Sequence, residues 1–217
     1  MKRLVACLLT CACALGASGK TAVKTLFPEA RVTTVANFGP GCRIRIARPE
    51  ASEFSIGYRP EGERGGGALI LRGLRLFPGE WILGLSCYPS DEEHVRNGWA
   101  VPASNGGWRS NDNESSLEMV RLNALSFHDL ISVNARGWAV SVDDTTGDER
   151  FRQRTLFYCI VRGPKAICGN NDMGYLRDIR HDRRADMTPQ AIRLLRSIEF
   201  LEDAPPEPLP EPARHPR

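Results

Sequence analysis

The sequence predicts an α+β fold, in which a central, mostly antiparallel sheet is covered by a few helices in an α/β/α sandwich-like arrangement. Three observations support this. Several short segments alternate apolar and polar residues, as half-buried strands do. Other short segments are apolar on both faces, which indicates a sheet covered on both sides. Four cysteines lie in or beside these segments, in a chain that starts like an exported protein, so the fold is also predicted to be disulfide-stabilised.

The first 19 residues have the three parts of a secretory signal peptide. Basic residues at positions 2 and 3 precede the uncharged run Leu4–Ala17, and Ala17-Ser18-Gly19 places small residues where signal peptidase cleaves. The run is too short to span a bilayer, which takes about 20 residues. No later stretch is long and apolar enough to span one. We therefore predict that residues 1–19 are removed and that a periplasmic protein begins at Lys20.

Lipidation is the alternative. Cys7, Cys11 and Cys13 lie in the apolar run, and a lipoprotein is acylated on a cysteine that follows a small-residue motif. Cys7 has a fitting motif but no apolar run before it, and Thr10 occupies the position before Cys11 where a small residue is required. Cleavage after Gly19 is therefore favoured, with an outer-membrane lipoprotein, held by a lipid anchor, as the second possibility.

Length and charge restrict the organisation and the partners. Residues 20–203 are predicted to form one domain, and the proline-rich segment 204–217 is predicted to be a disordered tail. Removal of two basic residues with the signal peptide leaves 27 of the 29 basic residues against 26 acidic ones, a net charge of +1. Nucleic-acid binding favours a strongly basic surface, so no nucleic-acid partner is predicted.

The four cysteines that follow the signal peptide are predicted to form two disulfides. The clearest hairpin of the sequence turns at Gly163-Pro164, two residues that favour turns. That register places Cys159 opposite Cys168 on one side of the ribbon, where cross-strand side chains are close. Cys42 and Cys87 are then paired by elimination.

The strands are assigned from their apolar periodicity. In chain order they are Cys42–Arg48, Ala68–Phe77, Trp81–Tyr88, Arg136–Val142 and Thr155–Val161, with a short last strand at Ser197–Leu201. The first, third and fourth alternate as half-buried strands do. The second and fifth are largely apolar on both faces, which predicts that they lie near the centre of the sheet.

Two helices are predicted. The first carries a capping-box pattern that begins at Ser115, and Leu117, Val120, Ala124 and Leu125 follow at helical spacing as an apolar stripe. The second opens with Thr188 as N-cap and Pro189 at the first helical position. Surface loops rich in glycine or in Asn, Gly and Ser are predicted at Pro60–Gly67 and Pro102–Asn113.

Motifs that would identify an enzyme are not found. The sequence has no Gly-x-Ser-x-Gly, no His-Glu-x-x-His and no cysteines at zinc spacing. His128-Asp129 is the only histidine beside a carboxylate, and we interpret it as part of a strand end rather than as an oriented base. The acidic run Asp143–Glu149 lacks the spacing of calcium ligands and is predicted to be a polar turn. Neither catalysis nor a cofactor nor a metal is predicted.

Two kinds of residue are candidates for partner binding. Trp99 and Trp108 lie near or in the loop predicted at Pro102–Asn113, and tryptophan is enriched in interface hot spots, although core packing is an equal alternative. A first arginine set alternates along the chain and is predicted to share one face of an extended segment: Arg150, Arg152 and Arg154. A second set lies in a polar connector: Arg177, Arg180, Arg183 and Arg184. Either set would suit an acidic partner or anionic lipid, with a solvated surface as the favoured alternative.

Two segments carry family resemblances. The hairpin Leu156–Gly169 and the helix that runs into Leu194–Phe200 are similar to the end of PsbP-like domains. That resemblance implies an α/β/α module with a central antiparallel sheet, used for binding. The segment Cys42–Pro49, a cysteine followed by an arginine-containing strand and a proline, resembles periplasmic immunity proteins that neutralise type VI secretion lipase effectors. This second resemblance implies an inhibitor of a secreted toxin.

These observations favour an exported periplasmic module that binds or inhibits another envelope or secreted protein and has no catalytic centre. An immunity protein against a secreted toxin is the most specific form of this hypothesis. One alternative is an envelope-maintenance or assembly factor that acts near the membrane or the cell wall. The other is a hydrolase whose site no motif reveals.

Overall fold

The computed structural model describes residues 31–57, 65–77, 79–104, 107–111 and 113–202, except for the side chains of residues 114 and 115. The predicted signal peptide, the predicted new N-terminus at Lys20 and the predicted tail therefore lie outside the described residues. So does most of the loop predicted at Pro60–Gly67.

The described chain is dominated by strands. These are β1 (Arg31–Asn37), β2 (Arg43–Pro49), β3 (Glu53–Gly57), β4 (Gly66–Arg72), β5 (Glu80–Pro89), β6 (Ala100–Pro102), β7 (Trp108–Ser110), β8 (Leu125–Ile131), β9 (Arg136–Asp143), β10 (Gln153–Arg162), β11 (Lys165–Tyr175) and β12 (Glu199–Phe200). The helices are α1 (Glu93–Asn97), α2 (Glu114–Arg121), α3 (Leu176–His181) and α4 (Thr188–Arg196), with a 3₁₀ turn at Arg183–Ala185.

The strands form one large sheet and two small ones. The large sheet has seven strands in the order β3-β4-β5-β11-β10-β9-β8, the second sheet has the order β1-β2-β12, and β6 pairs with β7. Every pairing is antiparallel. The prediction of a mostly antiparallel sheet with few helices is confirmed.

Two apolar cores lie on the two faces of the large sheet. In β10, Leu156, Tyr158 and Ile160 point into the larger core, which also receives side chains from β2 and α4. The intervening residue Cys159 points into the second core, where it meets residues of α1 and β6. Because β10 is buried on both sides, its apolar character on both faces is explained.

The two disulfides join the cysteine pairs that the sequence predicts. Cys159 and Cys168 are directly opposite in the β10–β11 hairpin, in the predicted register. Cys42, immediately before β2, is bonded to Cys87 in β5. The second bond therefore attaches the three-stranded sheet to the large one through the larger core.

Two predicted segments differ from the structure in their strands. The strand predicted at Ala68–Phe77 ends at Arg72, where a turn containing Gly73 at a φ of 70° begins. The loop predicted at Pro102–Asn113 contains β7, which pairs with β6 to form a small hairpin. The prediction of a structureless loop was therefore wrong there.

The start of each predicted helix also differs. Helix α2 begins at Glu114 because Asn113 Oδ1 accepts a hydrogen bond from Ser116 N at 2.8 Å, so the capping box predicted at Ser115 is wrong. Helix α4 contains Thr188 as its first residue. Met187 is the N-cap residue, and Asp186 Oδ1 accepts a hydrogen bond from Thr188 N at 2.9 Å, so the N-cap predicted at Thr188 is wrong.

The ladder between β5 and β11 is short. It covers only Lys165–Cys168 against Ser86–Pro89. Just beyond its last rung the Gly84 amide donates to Asn171 Oδ1 at 2.7 Å, and the Tyr158 hydroxyl donates to the Gly84 carbonyl. Two side chains thus replace the next rung of the ladder.

Candidate functional site

Both candidate tryptophans pack against the second core. Trp99 and Trp108 are half-buried, and the Trp99 ring lies 5.0 Å from the Phe157 ring, centroid to centroid. Part of each indole is therefore used to close the second core over the large sheet. A contribution of either side chain to partner binding stays a prediction.

The first arginine set stabilises the β9–β10 hairpin. Arg150 lies in the connecting turn, where its guanidinium contacts Asp148 Oδ2 at 2.6 Å. Arg152 donates to the carbonyls of Thr146 and Gly147. The prediction of one shared strand face is wrong because the turn extends through residue 151, and of the three arginines only Arg154 belongs to a strand.

Arg154 is the one of the three that binds two carboxylates. It makes a two-pronged contact with Asp143, at 2.6 and 2.8 Å, and a further bond to Asp186 Oδ2 at 2.8 Å. Hydrogen bonding to Asp143 raises the pKa of Arg154 above its ordinary value, against the opposing effect of burial. Its position between two carboxylates ties the large sheet to the start of α4.

The second arginine set lies beside the first, because the Leu176 amide donates to the Arg152 carbonyl at 2.9 Å. Carboxylates accompany this set as well: Arg177 lies 3.3 Å from Asp178, and Arg184 lies 2.6 Å from Asp182. Hydrogen bonds from Arg184 lower the pKa of Asp182 to about 2. The combined surface carries both signs of charge, so its field does not single out an anionic partner.

His128 and Asp129 do not act together. Consecutive strand residues point to opposite faces, so the two side chains diverge. The partner of His128 is Ser141 on the neighbouring strand, with 3.2 Å between Nε2 and Oγ. Ser141 is only 5% exposed, whereas His128 is half-buried, so the serine of this pair is enclosed in the fold.

Acidification is expected to weaken the fold through His128. Desolvation, with smaller contributions from Arg196 and Arg154, lowers the pKa of His128, whereas Asp186 opposes the shift. In the unfolded chain the imidazole takes up its proton near pH 6.5. Its contribution to stability is thus complete above that pH and is lost as the pH falls through the folded-state pKa.

Urea unfolding at pH 7.5 and 5.5 measures this effect. His128→Gln should show a smaller loss of stability between the two pH values than the wild type does. The exposed residue His181 provides the control, and His181→Gln should keep the wild-type dependence. Equal pH dependence in the His128→Gln variant and the wild type would show that His128 is not the source.

Helix α2 turns apolar side chains outward. Leu117 is 45% exposed, Val120 is 53% exposed and Leu122, just after the helix, is 54% exposed. Ser116 is buried on the inward side of the helix. We call Leu117, Val120 and Leu122 the α2 surface. The sequence predicted Leu117 and Val120 to share one apolar helical stripe with Ala124 and Leu125, but the helix ends before Ala124 and Leu125, which belong to the following turn and strand.

A second feature that the sequence did not reveal is a groove beyond the last rung of the ladder between β5 and β11. Its lining residues are Phe77, Glu80, Ile82, Gln153, Asn171, Asp172 and Tyr175. No periodicity marks it, because it results from the end of a ladder between strands far apart in sequence. Phe151, an exposed aromatic at the β9–β10 turn beside Arg150, was also missed.

The described ranges contain no group of three or more histidine, cysteine, aspartate or glutamate side chains arranged to hold a metal ion. Among the helices of those ranges, none has the length and apolar character needed to cross a membrane.

A scan against models of known protein families, a search of curated proteins and a search of solved structures each found no match to this chain.

Proposed function

We propose that this protein is an exported periplasmic module that binds and inhibits another envelope or secreted protein, and that its α2 surface contacts the partner. The observation that carries the proposal is the exposure of Leu117 and Val120, one helical turn apart, together with Leu122 just beyond the helix end. Contiguous exposed apolar side chains are characteristic of interaction sites. Burial of such side chains is the main favourable term in protein association.

The scaffold supports the same proposal. Disulfides are formed and kept in oxidising compartments such as the bacterial periplasm, and this fold carries two of them, both buried. A surface attached to a cross-linked sheet loses little conformational entropy on binding, which favours affinity. These features suit an inhibitor, which must hold its target without being rearranged by it.

The most specific form of the proposal is an immunity protein against a type VI secretion lipase effector, as the resemblance of the segment Cys42–Pro49 implies. The α/β/α arrangement of PsbP-like modules is proposed here too. Coverage of the large sheet by α4 on one face and by α1 on the other supports it. An envelope-assembly factor and a hydrolase are the alternatives that the experiment must separate.

The test is capture of partners from an envelope extract by the tagged chain beginning at Lys20. Val120→Glu should reduce recovery of the captured protein at least tenfold, because it places a charge inside an apolar contact. Its melting temperature should stay close to that of the wild type, since Val120 is solvent-exposed.

Val133 provides a matched control, because it is also an exposed valine, at 63%, and lies outside the α2 surface. Val133→Glu should capture the partner as the wild type does. Undiminished capture by Val120→Glu, or equal losses in both variants, would exclude the α2 surface. Turnover by the purified wild-type protein in a hydrolase panel would favour the enzyme alternative.

A further inference from the structure

We propose that two copies of this protein associate through β1, which pairs in the antiparallel direction with β1 of the second copy and so joins the two three-stranded sheets into one of six strands. The contact uses a different part of the molecule from the α2 surface, and it does not depend on the function proposed for that surface. Among the described residues, β1 is paired with β2 along one side, and no strand runs along its other side.

The unpaired side of β1 presents backbone donors and acceptors. The Leu201 amide donates to the Arg43 carbonyl at 2.7 Å, so Arg43 directs its peptide groups toward β12. Alternation along β2 then directs the peptide groups of Ile44 toward β1, where Ala36 lies opposite. The peptide groups of Ala36 are therefore used by β2. Those of Val35, and of the other odd-numbered residues of β1, point to the open side.

The other terminal strands of the two larger sheets are protected. On the outer side of β12, the Phe200 amide donates to Asn134 Oδ1 at 3.0 Å, and Asn134 Nδ2 donates to the Phe200 carbonyl at 2.8 Å. In β8, the Asp129 carbonyl accepts a hydrogen bond from Arg196 at 3.2 Å. β3 has only five residues, and a short edge strand is one of the ways in which proteins limit edge pairing.

β1 lacks such protection. It has seven residues in an uninterrupted register with β2, and none after Arg31 is charged. On its outer face Thr33 and Val35 are exposed, Val35 at 45%. On the opposite face Val32 and Thr34 are only half-buried, so this part of β1 lies at the margin of the larger core. A neighbouring strand would therefore cover side chains on both faces as well as the free peptide groups.

The sequence of β1 suits pairing with itself. A two-fold axis through Thr34 places each of the seven residues opposite a residue of the second copy. The odd-numbered residues then face one another, so their outward amides and carbonyls exchange hydrogen bonds. Residues that favour strands meet at the centre, and no like charges lie opposite each other. The opposite residues in this register are Arg31 and Asn37, Val32 and Ala36, Thr33 and Val35, and Thr34 and its own copy.

Sedimentation equilibrium of the chain beginning at Lys20 tests the proposal. Two strand edges bury less surface than a standard interface does, so a dimer with a dissociation constant on the order of 10 μM is expected. Val35→Pro should weaken the dimer about tenfold or more, because proline removes an outward amide from each strand and leaves the hydrogen bonds to β2 in place. Val35→Thr is the matched control. It keeps the amide and a β-branched side chain, and it should dimerise as the wild type does.

The fold of the proline variant is checked separately. At about 1 μM, where the wild type is expected to be mostly monomeric, Val35→Pro should melt close to the wild-type temperature. If it does not, Val35→Lys takes its place, because a lysine on an edge strand opposes pairing without changing the backbone.

Amide hydrogen exchange, resolved by NMR, locates the contact. The Thr33 and Val35 amides should become protected as the protein concentration rises, whereas the Thr34 amide, bonded within the β1–β2 ladder, should be equally protected throughout. A protein that stays monomeric up to about 1 mM would overturn the proposal. So would protection of Val35 that does not depend on concentration, since another part of the same chain would then cover the edge. A dimer that is lost in Val120→Glu and kept in Val35→Pro would assign the contact to the α2 surface instead.

Discussion

Replacement of Cys42 and Cys87 together by alanine is expected to lower the free energy of unfolding by about 4 kcal/mol. The bond closes a loop over a sequence separation of 45 residues, and its loss releases a large conformational freedom in the unfolded chain. Both cysteines are also buried in the larger core, so the substitution removes packed sulfur atoms from the contact between β2 and β5.

The second disulfide provides the comparison. Cys159 and Cys168 are separated by only 9 residues, so removal of that bond should cost about 2.5 kcal/mol on the same basis. Urea unfolding of both double-alanine variants at pH 7.5 measures the two losses. Equal losses, or a larger loss for the hairpin bond, would show that chain entropy does not determine the difference.

Gly169→Ala is expected to destabilise the protein by about 3 kcal/mol. A Cβ at residue 169 would lie 2.5 Å from Tyr158 Oη and closer still to the Gly84 carbonyl oxygen. Tyr158 is almost completely buried and has no free space into which to move. The substitution should therefore push β5 away from β11 and break the bonds that Tyr158 and Asn171 make to Gly84.

Gly84 is the matched control, because it lies on the strand beside Gly169. A Cβ there would have Asn171 Oδ1 as its nearest neighbour, at 3.6 Å, which is an ordinary van der Waals contact. Gly84→Ala should change the free energy of unfolding by less than about 1 kcal/mol. A similar loss in both variants would mean that the close approach at Gly169 is not specific.

The strands predicted best are those with one clearly buried face. In β5, Trp81, Leu83, Leu85 and Cys87 are buried and the residues between them are not, so alternation was a sufficient signal. The hairpin register was predicted because the Gly163-Pro164 turn and the facing cysteines give the same answer independently.

The missed elements lack such a signal. β1 lies at the edge of the three-stranded sheet, and most of its residues are exposed. Its sequence therefore lacks the apolar alternation that identifies a half-buried strand. Helices α1 and α3 have five and six residues, too few to show a helical period. Their formation depends on contacts such as the hydrogen bond from Trp138 Nε1 to the Val95 carbonyl, which the sequence does not show.

The α2 surface was partly predictable. Asn113 and Asn123 delimit the helix, the first as its cap and the second with a φ of 53° beyond its end. If these two asparagines had been recognised as the boundaries of the helix, Leu117 and Val120 would have been assigned to the helix, and Ala124 and Leu125 to the segment that follows it. The groove was not predictable, because it depends on where the pairing of β5 with β11 ends.

The order of the bonded cysteines along the chain affects how the protein oxidises. Among the four cysteines that follow the predicted signal peptide, the first is bonded to the second and the third to the fourth. A chain that crosses a membrane with its N-terminus first, and is oxidised as it emerges, therefore reaches its native bonds by linking each cysteine to the next. If the chain is exported in this way, we expect a thiol oxidase to be sufficient to form both bonds, without a disulfide isomerase.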